Sequence, residues 1–121
     1  SQTHYCDTTP PTSGTGTVGV PLTIQACAGP NDVNGTPVTI TAWTLYDGAA
    51  STPITMAKGT TSAVSNKTVY SGAYTPAVVG SHALAVTSTG NSKESAKSPT
   101  FLLSVAPPPA APTAPTNLSA Q

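Results

Sequence analysis

The sequence predicts an all-β sandwich of about seven short antiparallel strands, and three observations support this prediction. Val, Ile and Leu alternate with Thr and Ser along several segments, which is the pattern of strands with one buried and one wet face. Clusters of Gly, Pro, Asn and Asp separate these segments, as turns do. No segment sustains the 3.6-residue apolar period of an amphipathic helix.

The clearest strand pattern lies in residues 37–48, which contain the only tryptophan. Ile40, Trp43 and Leu45 form one expected buried set, and Gly48 closes the strand into a turn. The parity of the apolar positions changes between Ile40 and Trp43, so a β-bulge is expected there. Trp43 is expected to lie in the core, by analogy with the buried tryptophan of sandwich domains.

Shorter strands are expected to pack around this one. In the last two of them, His82, Leu84 and Val86 share one face, and Phe101 begins an inward-facing set. The strand before these is expected to be interrupted at Gly72. The predicted segments are residues 22–28, a weak strand at 53–57, 67–75, 79–89 and 98–105.

The charge content limits the partners of the chain. The formal net charge is zero and only 7% of residues are charged, against about 25% in average proteins. Without a basic patch, nucleic acid is not expected as a partner. No apolar run is long enough to span a bilayer, so membrane insertion is not expected.

The chain contains two cysteines, Cys6 and Cys27. In a small, Thr-rich and Lys-poor chain they favour one disulfide and an extracellular location, with two unpaired buried thiols as the alternative. Cys27 alternates with Ile24 and therefore points to the opposite face. A disulfide is expected to fasten the first residues to the outside of the sheet.

Composition divides the chain into three parts. Residues 1–14 form an irregular lead-in, tied to the body by the predicted disulfide. Residues 15–105 contain the predicted strands and form the domain. Residues 106–121 are rich in Pro, Ala and Thr, which is typical of a semi-rigid extended linker or tail.

Three segments carry a resemblance to a known family. They are Ile40-x-x-Trp43-x-Leu45-Tyr46-Asp47-Gly48, then residues 71–75 followed by 80–86, and finally residues 101–105. Together they resemble the bacterial immunoglobulin-like (Big-type) domains over residues 15–105. The resemblance implies an immunoglobulin-like sandwich that serves as a spacer, stalk or binding module of secreted and surface proteins, without catalysis. Residues 115–120 also resemble the opening of a fibronectin type III module.

The titratable residues predict no catalytic or metal site, and no cofactor is expected. The four acids, Asp7, Asp32, Asp47 and Glu94, all fall in the lead-in or in predicted loops, where a solvated turn carboxylate is the simplest interpretation. Asp32 and Asp47 could instead meet at one end of the sandwich and hold Ca²⁺, although no dense Asp/Asn ladder supports this. For His82 we expect a packed ring with one nitrogen hydrogen-bonded.

Exposed aromatic rings are the remaining candidates for ligand contact, because sugar rings stack on them. With Trp43 assigned to the core, the candidates are Tyr5, Tyr46, Tyr70 and Tyr74, for which packing in the core or at an edge is the alternative. The leading hypothesis is a non-catalytic extracellular spacer or interaction unit next to neighbouring domains of the same polypeptide. The alternatives are a carbohydrate-binding module of a polysaccharide-degrading enzyme and a subunit of a self-assembling surface fibre.

Overall fold

The structure, a computed structural model, describes residues 2–121. Ser1, the first residue of the predicted lead-in, lies outside the described residues. Within them, the only helical segment is a 3-10 turn at Tyr5–Asp7. Nine strands form the rest of the regular structure: β1 Ser13–Thr17, β2 Leu22–Ala28, β3 Ile40–Asp47, β4 Ala50–Ile54, β5 Ala57–Thr61, β6 Thr68–Tyr74, β7 Gly80–Gly90, β8 Lys93–Glu94 and β9 Phe101–Ala106.

The strands form two sheets in a sandwich-like arrangement, which confirms the all-β prediction. The larger sheet has the order β1-β9-β7-β3-β4, with β8 paired to β7, and the smaller has the order β2-β6-β5. The pairing differs from the expected purely antiparallel one, since β1 runs parallel to β9. These two strands are distant in the chain, so no tight turn forces them to be antiparallel.

The core lies between the two sheets. Its buried cluster comes from the larger sheet and consists of Leu45, Leu84, Leu103 and Val105. Partly buried residues of the smaller sheet cover it, and these are Leu22, Ile24 and Tyr74. The alternation in β9 is as predicted, with Leu103 and Val105 buried between exposed neighbours.

Trp43 is buried, as predicted, with 7% of its surface exposed. It lies beside the leucine cluster rather than in it, and its ring centroid is 5.0 Å from that of Tyr70 on the opposite sheet. The predicted bulge is also present, because the register between β3 and β7 shifts between Ile40 and Ala42. This shift allows Ile40, which is half-buried, and Trp43 to lie on the same side of the sheet.

Two predictions about the middle of the chain are wrong. Residues 53–57 do not form one strand: β4 ends at Ile54, and the chain crosses to the other sheet before β5 begins at Ala57. The β6 strand is continuous through Gly72 rather than interrupted there. The crossing of residues 55 and 56 between the sheets explains both errors. It ends β4, and it passes so close to β6 that only a glycine fits at position 72: an added Cβ would lie 2.5 Å from the Thr55 carbonyl oxygen and 2.6 Å from the Met56 sulfur.

We expect Gly72→Ala to lower the free energy of unfolding by about 1–3 kcal/mol, the usual range for an overpacked site. The new methyl group collides with a backbone oxygen, which cannot rotate away as a side chain can. Gly29→Ala is the matched control, because a Cβ at Gly29 meets no atom within 4 Å. Urea unfolding of both variants measures the difference, and equal stabilities would contradict the close crossing.

The predicted disulfide is present and joins Cys6 to Cys27. Cys27 alternates along β2 with Leu22 and Ile24, which pack against the core, so its side chain lies on the outer face of the smaller sheet. The prediction that the disulfide fastens the lead-in to the outside of the sheet is therefore confirmed.

Two hydrogen bonds between side chains also hold the lead-in. The His4 Nε2 and Thr60 Oγ1 atoms are 2.9 Å apart. Farther along, the Ser62 hydroxyl donates to the Asp7 carboxylate over 2.5 Å. Ser62 is 3% exposed, so its hydroxyl needs such a partner.

The lead-in and the tail meet the sandwich at opposite ends. Cys27 is near the last residue of β2, at the end where the β5–β6 loop lies, which we call the entry end. The β9 strand finishes at the other end, beside the β6–β7 loop, and this is the exit end. Residues 107–121 continue from there without strand or helix and are exposed throughout. No helix in the described part of the chain has the length and apolar character needed to cross a membrane.

Candidate functional site

A groove of about 390 Å³ opens between the two sheets at the exit end, and we call it the exit groove. It lies between the β3–β4 hairpin and the end of β6 with the loop that follows. Its apolar lining includes Leu45, Pro53, Ile54, Ala77 and Val78. Polar groups are interspersed with these and belong to Asp47, Thr52, Tyr74, Thr75 and His82.

His82 lines the exit groove and is held in place by two polar contacts. Its Nδ1 atom lies 2.7 Å from the Asp47 carboxylate, and its Nε2 atom lies 2.7 Å from the Val78 carbonyl oxygen. Both partners are acceptors, so the two hydrogen bonds form together only when the ring is protonated and each nitrogen carries a hydrogen. The expectation of one hydrogen-bonded nitrogen is therefore wrong, because both are bonded. The side chain is only 13% exposed.

The hydrogen bond to Asp47, followed by that to the Val78 carbonyl, raises the pKa of His82 above its usual value of 6.5. A raised pKa in the folded state means that protonation favours folding. The stabilisation is complete below about pH 6.5, the pKa of a histidine in the unfolded chain. It is lost as the pH rises through the higher pKa of His82 in the folded protein.

We expect the difference in unfolding free energy between the wild type and His82→Gln to shrink as the pH rises from 5.5 to 8.5. Urea unfolding at several pH values measures this difference, and subtracting the variant removes the titration of all other groups. A proton NMR titration of the imidazole should give a pKa above 6.5 that falls in Asp47→Asn. A difference that is constant over this range, or a pKa at or below 6.5, would contradict a His82 ring held by Asp47 and the Val78 carbonyl.

Tyr74 brings the only phenol group to the exit groove among the described residues. It pairs in register with Leu22, so its half-buried ring points between the sheets and packs on the core cluster. Burial, and secondarily the negative charge of Asp47, raises the pKa of its hydroxyl. The hydroxyl therefore stays protonated at neutral pH and can donate a hydrogen bond to a ligand in the groove.

The other three candidate tyrosines are placed elsewhere. Tyr70 is half-buried and packs against Trp43, in agreement with the alternative of core or edge packing. Tyr46 is on the outer face of the larger sheet, where its hydroxyl donates to Glu94 and the Lys97 ammonium lies 4.3 Å from the centre of its ring. Tyr5 belongs to the 3-10 turn of the lead-in. The structure thus brings only one of the four to the exit groove.

Most of the carboxylates are structural rather than merely solvated, which corrects the sequence prediction. The hydrogen bond from Ser62 lowers the pKa of Asp7, and hydrogen bonds from Thr87 and Tyr46 lower that of Glu94. Asp32 orders its own loop by accepting from the backbone N–H groups of Asn34 and Thr36. The Asp47 carboxylate is also paired, since it lies 2.7 Å from the His82 Nδ1 atom.

The calcium alternative is wrong for a topological reason. Asp32 lies in the loop before β3 and Asp47 is the last residue of β3, so the full length of the strand separates them. Among residues 2–121 no group of three or more His, Cys, Asp and Glu side chains is placed to hold a metal ion.

Comparison with known proteins does not assign the chain to a family. No family model matches the chain, and neither a curated protein nor a solved structure does. The resemblance to bacterial immunoglobulin-like domains stays a prediction.

Proposed function

We propose that the chain is a non-catalytic, immunoglobulin-like module that acts as a spacer or interaction unit of a secreted or cell-surface protein. The observation that carries this proposal is the placement of its two connections. The lead-in is fastened at the entry end, and the tail leaves from the exit end. A module connected in this way adds the full length of its strands to the span between its neighbours.

The lengths of the sandwich and of the tail support a spacing role. The longest strand, β7, has eleven residues and spans about 36 Å at roughly 3.3 Å per residue. The exposed tail of residues 107–121 contains five prolines. Pro-rich chain extends by about 3.1 Å per residue, or about 46 Å here, whereas a flexible Gly-rich chain of this length averages only about 21 Å.

Strand order supports the immunoglobulin-like assignment. In that fold the C, F and G strands form one sheet, and strands B and E lie in the other. The order β3, β7, β9 in the larger sheet and β2, β6 in the smaller one corresponds to this arrangement. The disulfide supports an extracellular location, because disulfides persist in oxidising compartments.

Small-angle X-ray scattering of the full chain tests the spacing role. A compact globule of this length has a radius of gyration of about 14 Å. We expect a clearly larger value, with a maximum dimension of about 80 Å from the sum of sandwich and tail. Replacement of the five tail prolines by glycine is the control and should shorten the maximum dimension.

Two scattering results would contradict the proposal. A radius near 14 Å would show that the tail folds back on the domain and adds no length. A scattering mass that grows with protein concentration would favour the alternative of a self-assembling fibre subunit.

A further inference from the structure

We propose that the exit groove is a binding site for a neutral sugar ring, held by Tyr74, Asp47 and Thr52 over an apolar floor. This inference goes beyond the spacer function and does not depend on it. The groove is built by residues from β3, β4 and β6 that the fold itself holds in place, so the site is largely preformed. Preformed concave sites with a few convergent polar groups are the usual form of small-ligand sites.

The floor and walls of the exit groove suit the carbon face of a sugar. Leu45 is 7% exposed and belongs to the core cluster, so it is rigid. Ile54 packs against the same cluster from the edge strand β4, and Val78 stands 62% exposed on the opposite wall. A pyranose ring presents C–H groups on its faces, and these lose water favourably against such a surface.

The polar groups of the groove suit the hydroxyl rim of the same ring. The Asp47 carboxylate is 40% exposed, and one of its oxygens remains available after the other accepts from His82. An ionised carboxylate only accepts hydrogen bonds, so a ligand must bring donors such as hydroxyl groups. The Tyr74 and Thr52 hydroxyls both donate and accept, which matches the dual character of sugar hydroxyls.

The charge balance of the groove selects a neutral ligand. No Lys or Arg is among the described residues that line it. Both ring nitrogens of His82 are already engaged, one with the Asp47 carboxylate and the other with the Val78 carbonyl oxygen. An anionic sugar therefore finds no unpaired cation in the groove and faces the free oxygen of Asp47.

The volume of the groove sets the size of the ligand. At about 390 Å³ it is near the lower limit of typical ligand sites, about 300–1,000 Å³. It therefore accommodates one or two rings rather than a long chain buried along its length. A polysaccharide end and a short surface glycan share this chemistry.

An NMR titration of the ¹⁵N-labelled full chain tests the site. The probes are glucose, galactose, mannose and N-acetylglucosamine, their β-1,4-linked dimers, and glucuronic acid as the anionic comparison. We expect saturable shifts confined to the Tyr74–Val78 segment and Asp47 with at least one neutral probe, and at least tenfold weaker binding of glucuronic acid. A dimer that binds more tightly than its monomer would point to a polysaccharide end as the source.

Two groove variants make the test specific. Tyr74→Phe keeps the ring and should weaken binding about fivefold, because a net hydrogen bond contributes about 1 kcal/mol. Ala77→Trp fills the groove from an exposed loop position and should reduce affinity at least tenfold. The controls are Tyr46→Phe on the opposite face and Ala110→Trp in the tail, and both should bind as the wild type does.

The proposal is overturned if no neutral probe produces saturable shifts, if Ala77→Trp binds as tightly as the wild type, or if glucuronic acid binds as well as glucose. Thermal unfolding of each variant identifies a loss of binding that comes from misfolding. The same Ala77→Trp protein should keep the scattering dimensions of the wild type, so failure of the sugar site leaves the spacer proposal separately testable.

Discussion

Replacing Trp43 with alanine is expected to lower the free energy of unfolding by about 3–5 kcal/mol, the cost of removing a large buried aromatic ring. Trp43 is 7% exposed, and its ring packs against that of Tyr70 across the two sheets. The truncation removes that contact and leaves a cavity that the paired strands cannot close. Urea unfolding followed by far-UV circular dichroism measures the loss, because the variant no longer has a tryptophan to report by fluorescence.

Trp43→Phe separates ring packing from the indole N–H. The indole nitrogen is buried without a hydrogen-bond partner among the described residues, and an unsatisfied buried donor is itself unfavourable. Phenylalanine removes this donor while it keeps a ring against Tyr70. Trp43→Phe should therefore lower the free energy of unfolding by much less than Trp43→Ala does. Leu102→Ala, at a 51% exposed position of β9, is the control and should change stability by no more than about 0.5 kcal/mol. A near-neutral Trp43→Ala would place the ring on the surface and make it a stacking platform again.

The strands that could be predicted from the sequence are those whose pattern is a local property. In β3 the buried positions Trp43 and Leu45 are two residues apart, as are Leu103 and Val105 in β9, and the change of parity after Ile40 marks a real bulge. Alternation of this kind records which face is buried, whatever the partner strand is. The outer position of Cys27 followed from the same parity argument.

Errors occurred where the conformation depends on a distant contact. Ile54 and Met56 have the spacing of a strand, but the chain crosses between sheets after Ile54. Gly72 has the signal of a strand break, yet it permits a continuous strand beneath that crossing. In both cases the decisive neighbour lies far away in the sequence, and no local pattern contains it.

The candidate site was the least predictable part. Asp47 and His82 are 35 residues apart, and their contact depends on the register between β3 and β7. Parity could have placed Tyr46 on the outer face and Tyr70 with Tyr74 on the inner one. It could not show that Tyr70 meets Trp43 whereas Tyr74 lines a groove, since this depends on how the sheets separate toward the exit end.

Removing the disulfide, with Cys6→Ser and Cys27→Ser together, is expected to lower the free energy of unfolding by about 3 kcal/mol. The bond closes a segment of 21 residues in the unfolded chain, and its loss frees that segment. The segment includes β1, which joins the larger sheet at its edge by parallel pairing with β9. Urea unfolding of the oxidised wild type, the reduced wild type and the double variant measures the loss.

The reduced wild type and the double serine variant should unfold at the same urea concentration. Both lack the disulfide and otherwise differ only in a sulfur or an oxygen atom at two positions. Asp7→Asn is the non-covalent control: it weakens the contact with Ser62 but keeps the disulfide, so it should cost less than the double variant. If reduction leaves the midpoint unchanged while Asp7→Asn lowers it, hydrogen bonds rather than the covalent link hold the lead-in. In that case the entry end would keep its structure in a reducing compartment, and the disulfide would no longer support an extracellular location.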